Sequence, residues 1–227
     1  MAALVITIDG PAASGKSTVA RLLAEALDAT FLDTGAMYRA VTLAAIRDAV
    51  SLEDEEALVV VIGRHRFDFE AARGKMLVRI DGEDVTEALR DAALTAQVRH
   101  VAAAPRARER LVGMQRALAD HCERVVTEGR DQGTVAFPDA DVKFYLTAQP
   151  AERARRRAAE MAGGEEGPDV ARIQRAIEER DKSDQGRAVG PLKPADDAIK
   201  IDTTDLGIEE VVEEACRRVE EKCPGKH

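Results

Sequence analysis

The chain has 227 residues, 33 of them basic and 42 acidic, for a net charge of −9. That length allows one or two domains with a substantial core, while the acidic balance argues against a general nucleic-acid or anionic-membrane surface and leaves room for local basic pockets. Three cysteines without metal-ligand spacing fit reduced thiols in a cytoplasmic protein rather than a disulfide framework, and no apolar run approaches the ~20 residues of a membrane span.

In chain order, Leu4 to Ile8 is a short β-branched run that predicts a buried strand. Gly10 to Thr18 follows, reading Gly10-Pro11-Ala12-Ala13-Ser14-Gly15-Lys16-Ser17-Thr18, and matches the phosphate-binding pattern G-x-x-x-x-G-K-[ST]. Val19, Leu22, Leu23, Ala26 and Leu27 then recur at helical spacing. A loop between a strand and a helix start presents unpaired N–H groups and a partial positive charge to an anion. Lys16 adds a full charge for β/γ-phosphates, and the Ser17 hydroxyl suits Mg²⁺. An ordinary glycine-rich turn would explain the glycines but not the lysine, the hydroxyl and the flanking elements together.

Thr30 to Leu32 predicts a second strand, ending at Asp33-Thr34-Gly35, and Met37 to Arg47 and Glu53 to Ile62 predict helices. The rhythm then changes. Arg66 to Phe69 and Met76 to Ile80 alternate as strands do, with turns at Arg73-Gly74 and Asp81-Gly82-Glu83, so an antiparallel insertion is expected. Thr86 to Leu89 and Thr95 to Ala104 are predicted helical, and Pro105 opens a helix to about His121. Val125 to Thr127 and Val142 to Leu146 predict the third and fourth strands, Ala151 to Met161 and Asp169 to Lys182 two helices, Ala198 to Ile201 the fifth strand, and Gly207 to Lys222 a closing amphipathic helix. Gly163 to Pro168 is turn-rich. The expectation is an α/β fold: a five-stranded, mostly parallel sheet with helices on both faces. In such sheets ligands bind beyond the carboxyl ends of the strands. The phosphate loop, Asp33-Thr34 and Glu128-Gly129-Arg130-Asp131 should therefore converge.

Four blocks in order carry a resemblance that spans nearly the whole chain. They are Ile6 to Pro11 leading into the phosphate loop, Leu32 to Arg39, Glu128 to Pro138, and Glu179-Arg180-Asp181 with Asp184, Arg187, Pro191-Leu192 and Asp197-Ala198. With these the sequence resembles the bacterial-type cytidylate kinases, a branch of the nucleoside monophosphate kinases with a P-loop NTPase-type fold. The resemblance implies transfer of the γ-phosphoryl group of ATP to CMP or dCMP, with Mg²⁺. It implies one kinase unit over residues 1–227: a core of 1–62 and 105–227, a small α+β monophosphate-binding insertion at 63–104, and a helical lid at about 151–168. It implies ATP and CMP or dCMP as partners, with no nucleic acid and no membrane. A monomer is expected.

The resemblance also implies roles. Gly10 to Thr18 would bind ATP, with Ser17 on the metal. Arg39, Arg130 and Arg187 match positions that grip the CMP phosphate, Arg180 one near ribose and phosphate, and Asp184 a ribose contact. Asp131 matches the position that accepts from the cytosine amine, and Arg108 the one that donates to the ring's acceptor edge. Asp33, Thr34, Tyr38 and Gly129 would line the pocket. Lys16, Arg130, Arg153 and Arg157 are the expected catalytic set, with Arg156 on ATP. The blander reading of Arg153, Arg155, Arg156 and Arg157 is a solvated face paired with Glu152 and Glu160. One departure stands out: Arg99-His100 precede Val101-Ala102 where family members often carry a serine that helps read the base.

The chemistry fits these residues. The CMP phosphate, with a second pKa near ~6, is already largely ionised and needs no general base. His65, His100, His121 and His227 accordingly read as surface or loop residues. The difficulty is bringing two polyanions together, which calls for arginine forks and one metal ion. An adenylate or shikimate kinase would use the same scaffold. A GTP-dependent switch would need N-K-x-D and D-x-x-G; neither is suitably placed, Asp131-Gln132-Gly133 being one residue short of the second.

Overall fold

A computed structural model describes residues 4–72, 74–161 and 169–225. The central strand β1 (Leu4–Asp9) buries Leu4, Ile6 and Ile8 completely. It lies between β6 (Arg124–Gly129) and β7 (Val142–Thr147), with β2 (Thr30–Asp33) and β8 (Ile199–Asp202) at the edges, in the order β2-β6-β1-β7-β8. All four pairings are parallel. The register sets Asp33 beside Glu128, Asp9 beside Gly129 and Tyr145, and Thr147 beside Asp202. The strands thus end within about two residues of one another, so that Asp9, Asp33, Glu128, Thr147 and Asp202 lie at one edge of the sheet.

Helices cover both faces because the strands are apolar on both. On one face α1 (Lys16–Ala26) and α8 (Ile208–Lys222) contribute Val19, Leu23, Val211 and Val219 to a core with Ile6, Phe144 and Leu146. The other face carries α2 (Thr34–Arg47), α3 (Glu55–Arg64), α4 (Ala92–Ala103) and α5 (Pro105–Ala119). A second, antiparallel sheet of β3 (Phe67–Ala72), β4 (Lys75–Ile80) and β5 (Glu83–Asp84) joins this layer. Its Met76, Val78 and Ile80 lie in the same core as Met37 and Val41 of α2. The remaining helices, α6 (Pro150–Met161) and α7 (Val170–Gln185), pack on each other beside β7 and β8.

The structure shifts several predicted boundaries, each for a local reason. Helix α2 starts three residues early because the Asp33 side chain caps it, accepting from Ala36 N at 2.8 Å. Asp91 does the same for α4, accepting from Leu94 N, and so opens it at Ala92. The predicted helix at Thr86 to Leu89 is a three-residue 3₁₀ turn, Ala88–Arg90. A π-helical turn at Gln132–Ala136 has no counterpart among the predicted elements. The turn at Arg73 and the stretch Gly163 to Pro168 lie wholly or partly outside the described residues, as does His227.

Candidate functional site

The phosphate loop gets its shape from backbone angles. Gly10 has φ +157°, and a Cβ there would lie 2.2 Å from the Leu146 carbonyl oxygen, so no other residue fits. Ala13 (φ +58°) and Gly15 (φ +83°) are left-handed. Such alternation turns successive N–H groups toward a common point and so makes an anion nest. Helix α1 then begins at Lys16, adding its own N-terminal field.

Lys16 is buried, with Nζ donating to the Pro11 carbonyl at 3.3 Å. Burial pushes its pKa down to about 7; Arg130 adds to the shift, while Glu128 opposes it. The ammonium lacks a full counter-charge, which a polyphosphate would supply. Ser17 Oγ donates to Glu128 Oε1 at 3.0 Å. Burial raises the pKa of Glu128, with Lys16 opposing. A hydroxyl and a carboxylate in contact beside the loop are hard oxygen ligands of the kind Mg²⁺ takes alongside phosphate and water. Among the described residues no three His, Cys, Asp or Glu side chains form a metal cage. A Mg²⁺ shared with phosphates requires none. Glu128 was expected to converge with the loop as part of Glu128-Gly129-Arg130-Asp131, but it was given no role of its own there.

Facing the loop is a cluster of arginines braced by acids. Arg39 Nη2 donates to Asp33 Oδ2 at 2.9 Å. Arg130 Nε donates to Asp184 Oδ2 at 2.8 Å, and Arg187 Nη2 to Asp184 Oδ1. Burial would raise the pKa of Asp184, but Arg130 and Arg187 outweigh it and hold the carboxyl below its ordinary value. Arg180 is crowded by protein around its guanidinium and then by the charge of Arg130, and its pKa falls to about 10, although much of its side chain meets solvent. Arg130 and Arg180 both act on Lys16. The structure therefore brings the loop lysine and this cluster to one place.

Deeper in, Arg108 pairs with Asp131 and also donates to the Ala102 carbonyl at 3.3 Å. Its guanidinium lies over the Tyr38 ring, 5.7 Å from the centroid. Burial raises the pKa of Asp131 against the pull of Arg108. Thr34 Oγ1 donates to the Glu128 carbonyl at 2.7 Å, tying α2 to β6 beside Gly129. Asp9, unforeseen as a support, accepts from Gln132 N and Gly133 N, both at 2.8 Å. It thereby holds the π-helical turn that follows Arg130 and Asp131. Arg99 is exposed on α4, and its Nε donates to His100 Nε2 at 3.3 Å.

The basic helix divides. Arg156 donates to Glu152 at 2.9 Å and to Thr203 Oγ1 and O at 2.9 and 2.5 Å, close to Gly15. Arg157 is paired with Glu160 at the surface. Arg153, expected with Arg157 over the phosphates, has a different place. It is buried against Asp181 and the carbonyls of Ala12 and Ala148. A guanidinium with these partners is committed to the protein.

A parallel sheet with a phosphate loop after its central strand, faced by arginines at the same strand ends, defines a P-loop phosphotransferase. The family model described as cytidylate kinase matches residues 6–221, and the chain belongs to that family. A cytidylate kinase of Rhodococcus jostii is 47% identical over 209 residues, 92% of this chain and 91% of that protein. One of Pelotomaculum thermopropionicum is 49% identical over 215 residues, 94% and 95% of the two chains. A solved shikimate kinase from Bacteroides thetaiotaomicron aligns over 96% of this chain and 97% of its own, at 14% identity and a TM-score of 0.47, a likeness too loose to bear on substrate.

Proposed function

We infer that this chain transfers the γ-phosphoryl group of ATP to CMP or dCMP, giving ADP and CDP or dCDP. Membership of the cytidylate kinase family supports this, and one observation supports it physically: Glu128, bonded to Ser17 of the loop, lies two residues before Arg130, which Asp184 joins to Arg187. A loop built for a triphosphate and a pocket built for a second phosphate meet end to end.

On this reading Gly10 to Thr18 bind ATP, and Lys16 is drawn into full protonation by the β/γ-phosphates. Arg39, Arg130 and Arg187 grip the acceptor phosphate, with Arg180 beside them. The attacking oxygen is already ionised, so the protein's task is alignment and charge neutralisation. Ser17 and Glu128 would hold Mg²⁺, which adds positive charge beside the transferring phosphates when bound. Asp131 accepts from the cytosine amine; uracil presents a carbonyl oxygen there, which has no hydrogen to donate. Arg108 donates to the ring's acceptor edge, Asp184 meets the ribose, and Tyr38, Asp33, Thr34 and Gly129 line the pocket. Arg156 lies on the ATP side, and Arg157 reaches the phosphates when the lid closes. The insertion at 63–104 serves as the monophosphate-binding piece and about 151–168 as the lid. We place the chain in the cytoplasm, in line with its three free cysteines, and read it as a monomer.

A coupled assay of ADP release with CMP, dCMP, UMP, AMP and shikimate as acceptors tests the reading. CMP and dCMP should be turned over fastest, and faster turnover of AMP or shikimate would overturn it.

A further inference from the structure

Ala12 lies near the start of the phosphate loop, and both polar groups of its backbone are held. Its N–H donates to Asp181 Oδ1 at 3.1 Å, and its carbonyl accepts from Arg153 Nη1 at 3.0 Å. The same Nη1 donates to Asp181 Oδ2 at 2.5 Å, and Arg153 Nε donates to the Ala148 carbonyl at 3.0 Å. Arg153 and Asp181 come from α6 and α7 and are both buried. Ala12, Ala154 and Ile177 close over them, with Ala13 and Ile173 packed alongside. Water therefore competes poorly for these bonds.

The next residue, Ala13, has φ +58°, a conformation costly for a residue with a Cβ. Such a bend lasts only where its surroundings over-determine it. Here the determinants are visible: one carboxylate and one guanidinium hold the peptide groups just before the bend. The bend in turn aims the N–H groups between Ala13 and Lys16.

We propose that Arg153 and Asp181 are positioning residues for the nucleotide donor: they set the Ala12–Ala13 bend and so the aim of the loop's anion-binding N–H groups. This rests on the reading of that loop as the ATP site. Arg153 then acts through the loop and touches no phosphate. The pair also makes the loop's shape depend on how α6 is seated against α7.

The test uses Arg153→Ala, Arg153→Lys and Asp181→Asn in the full chain. ADP affinity is measured by calorimetry without CMP, and KM values for ATP and CMP in the coupled assay. Misaiming the loop should raise the ADP Kd and the ATP KM about tenfold or more while the CMP KM stays within about twofold. Arg153→Lys, which keeps the charge but loses the fork, should fall between the unmodified protein and Arg153→Ala. Should Arg153→Ala not fold, Asp181→Asn keeps the shape and an acceptor for Ala12 N–H and carries the test. A lower melting temperature with unchanged ADP affinity would reduce the pair to a structural brace, and equal losses for ADP and CMP would also overturn the proposal. Because ADP binding is read without an acceptor, failure of the unmodified protein to phosphorylate CMP would sink the function and leave this result standing.

Discussion

On the proposed function, the loop from Gly10 to Thr18 meets its anion with main-chain groups, while the arginine cluster near it meets one with long side chains. In the loop, main-chain angles at Gly10, Ala13 and Gly15 aim N–H groups, and a single lysine completes the charge. In the pocket, Arg39, Arg130 and Arg187 are steered by Asp33 and Asp184. A backbone nest tolerates no change of shape but works with little side-chain chemistry. An arginine pocket is set by pairs of side chains, and each pair can be altered singly. If the loop is the donor half and the arginine cluster the acceptor half, as proposed, the first should fail all at once and the second in graded steps.

The sharpest attack on this contrast is Lys16→Ala. Turnover should fall about 10³-fold or more while CMP affinity, measured alone, stays within about threefold; a matching loss of CMP affinity would erase the division between the halves. Next comes Arg130→Ala, expected to lower kcat/KM for CMP about 10²-fold with a smaller change in ADP affinity. Steady-state kinetics beside calorimetry checks it, and an ADP loss as large as the CMP loss would assign Arg130 to the donor side. Asp131→Ala is milder: the ratio of kcat/KM for CMP over UMP should drop about tenfold, more than the maximal rate does. An unchanged ratio removes Asp131 from base reading.

The smallest effect is a proton. Burial holds the Lys16 pKa at about 7 in the free protein, and phosphate raises it again. At pH 8 Lys16 is then mostly neutral before binding and charged after, so ADP binding should take up roughly one proton; at pH 6 it is already charged and little uptake remains. Calorimetry in buffers of different ionisation enthalpy measures this, and equal uptake at both pH values would contradict it.

Much of the fold was legible because its signals are local. Strands such as Leu4–Asp9 are short apolar runs, and a helix such as Ile208–Lys222 shows its amphipathic spacing within one stretch. The donor loop was legible for the same reason, being nine consecutive residues. The cluster around the loop was legible only in part: Asp33-Thr34 and Glu128-Gly129-Arg130-Asp131 were expected to converge, but the side-chain pairings were not. Arg108 and Asp131 lie 23 positions apart, Arg130 and Asp184 lie 54 apart, and Ser17 and Glu128 lie 111 apart. No periodicity links such pairs, and only the family resemblance located most of them. Arg153 was expected with Arg157 over the phosphates because the two are four apart on one helix face, and Asp181 stood only within a family block; their meeting inside is a contact 28 positions apart with no local signal. The π-helical turn at Gln132–Ala136 has no local signal, since a carboxylate from β1 holds it.

Asp33 and Asp184 have a consequence for what the arginine cluster attracts. They act as resident placeholders, each occupying guanidinium groups that an incoming phosphate must win over. A singly charged anion such as chloride offers those arginines little beyond what a carboxylate already gives. A phosphate dianion offers more charge and more oxygens for the forks to grasp. With three arginines held by two carboxylates, the cluster keeps a surplus of positive charge that a phosphate dianion can take up.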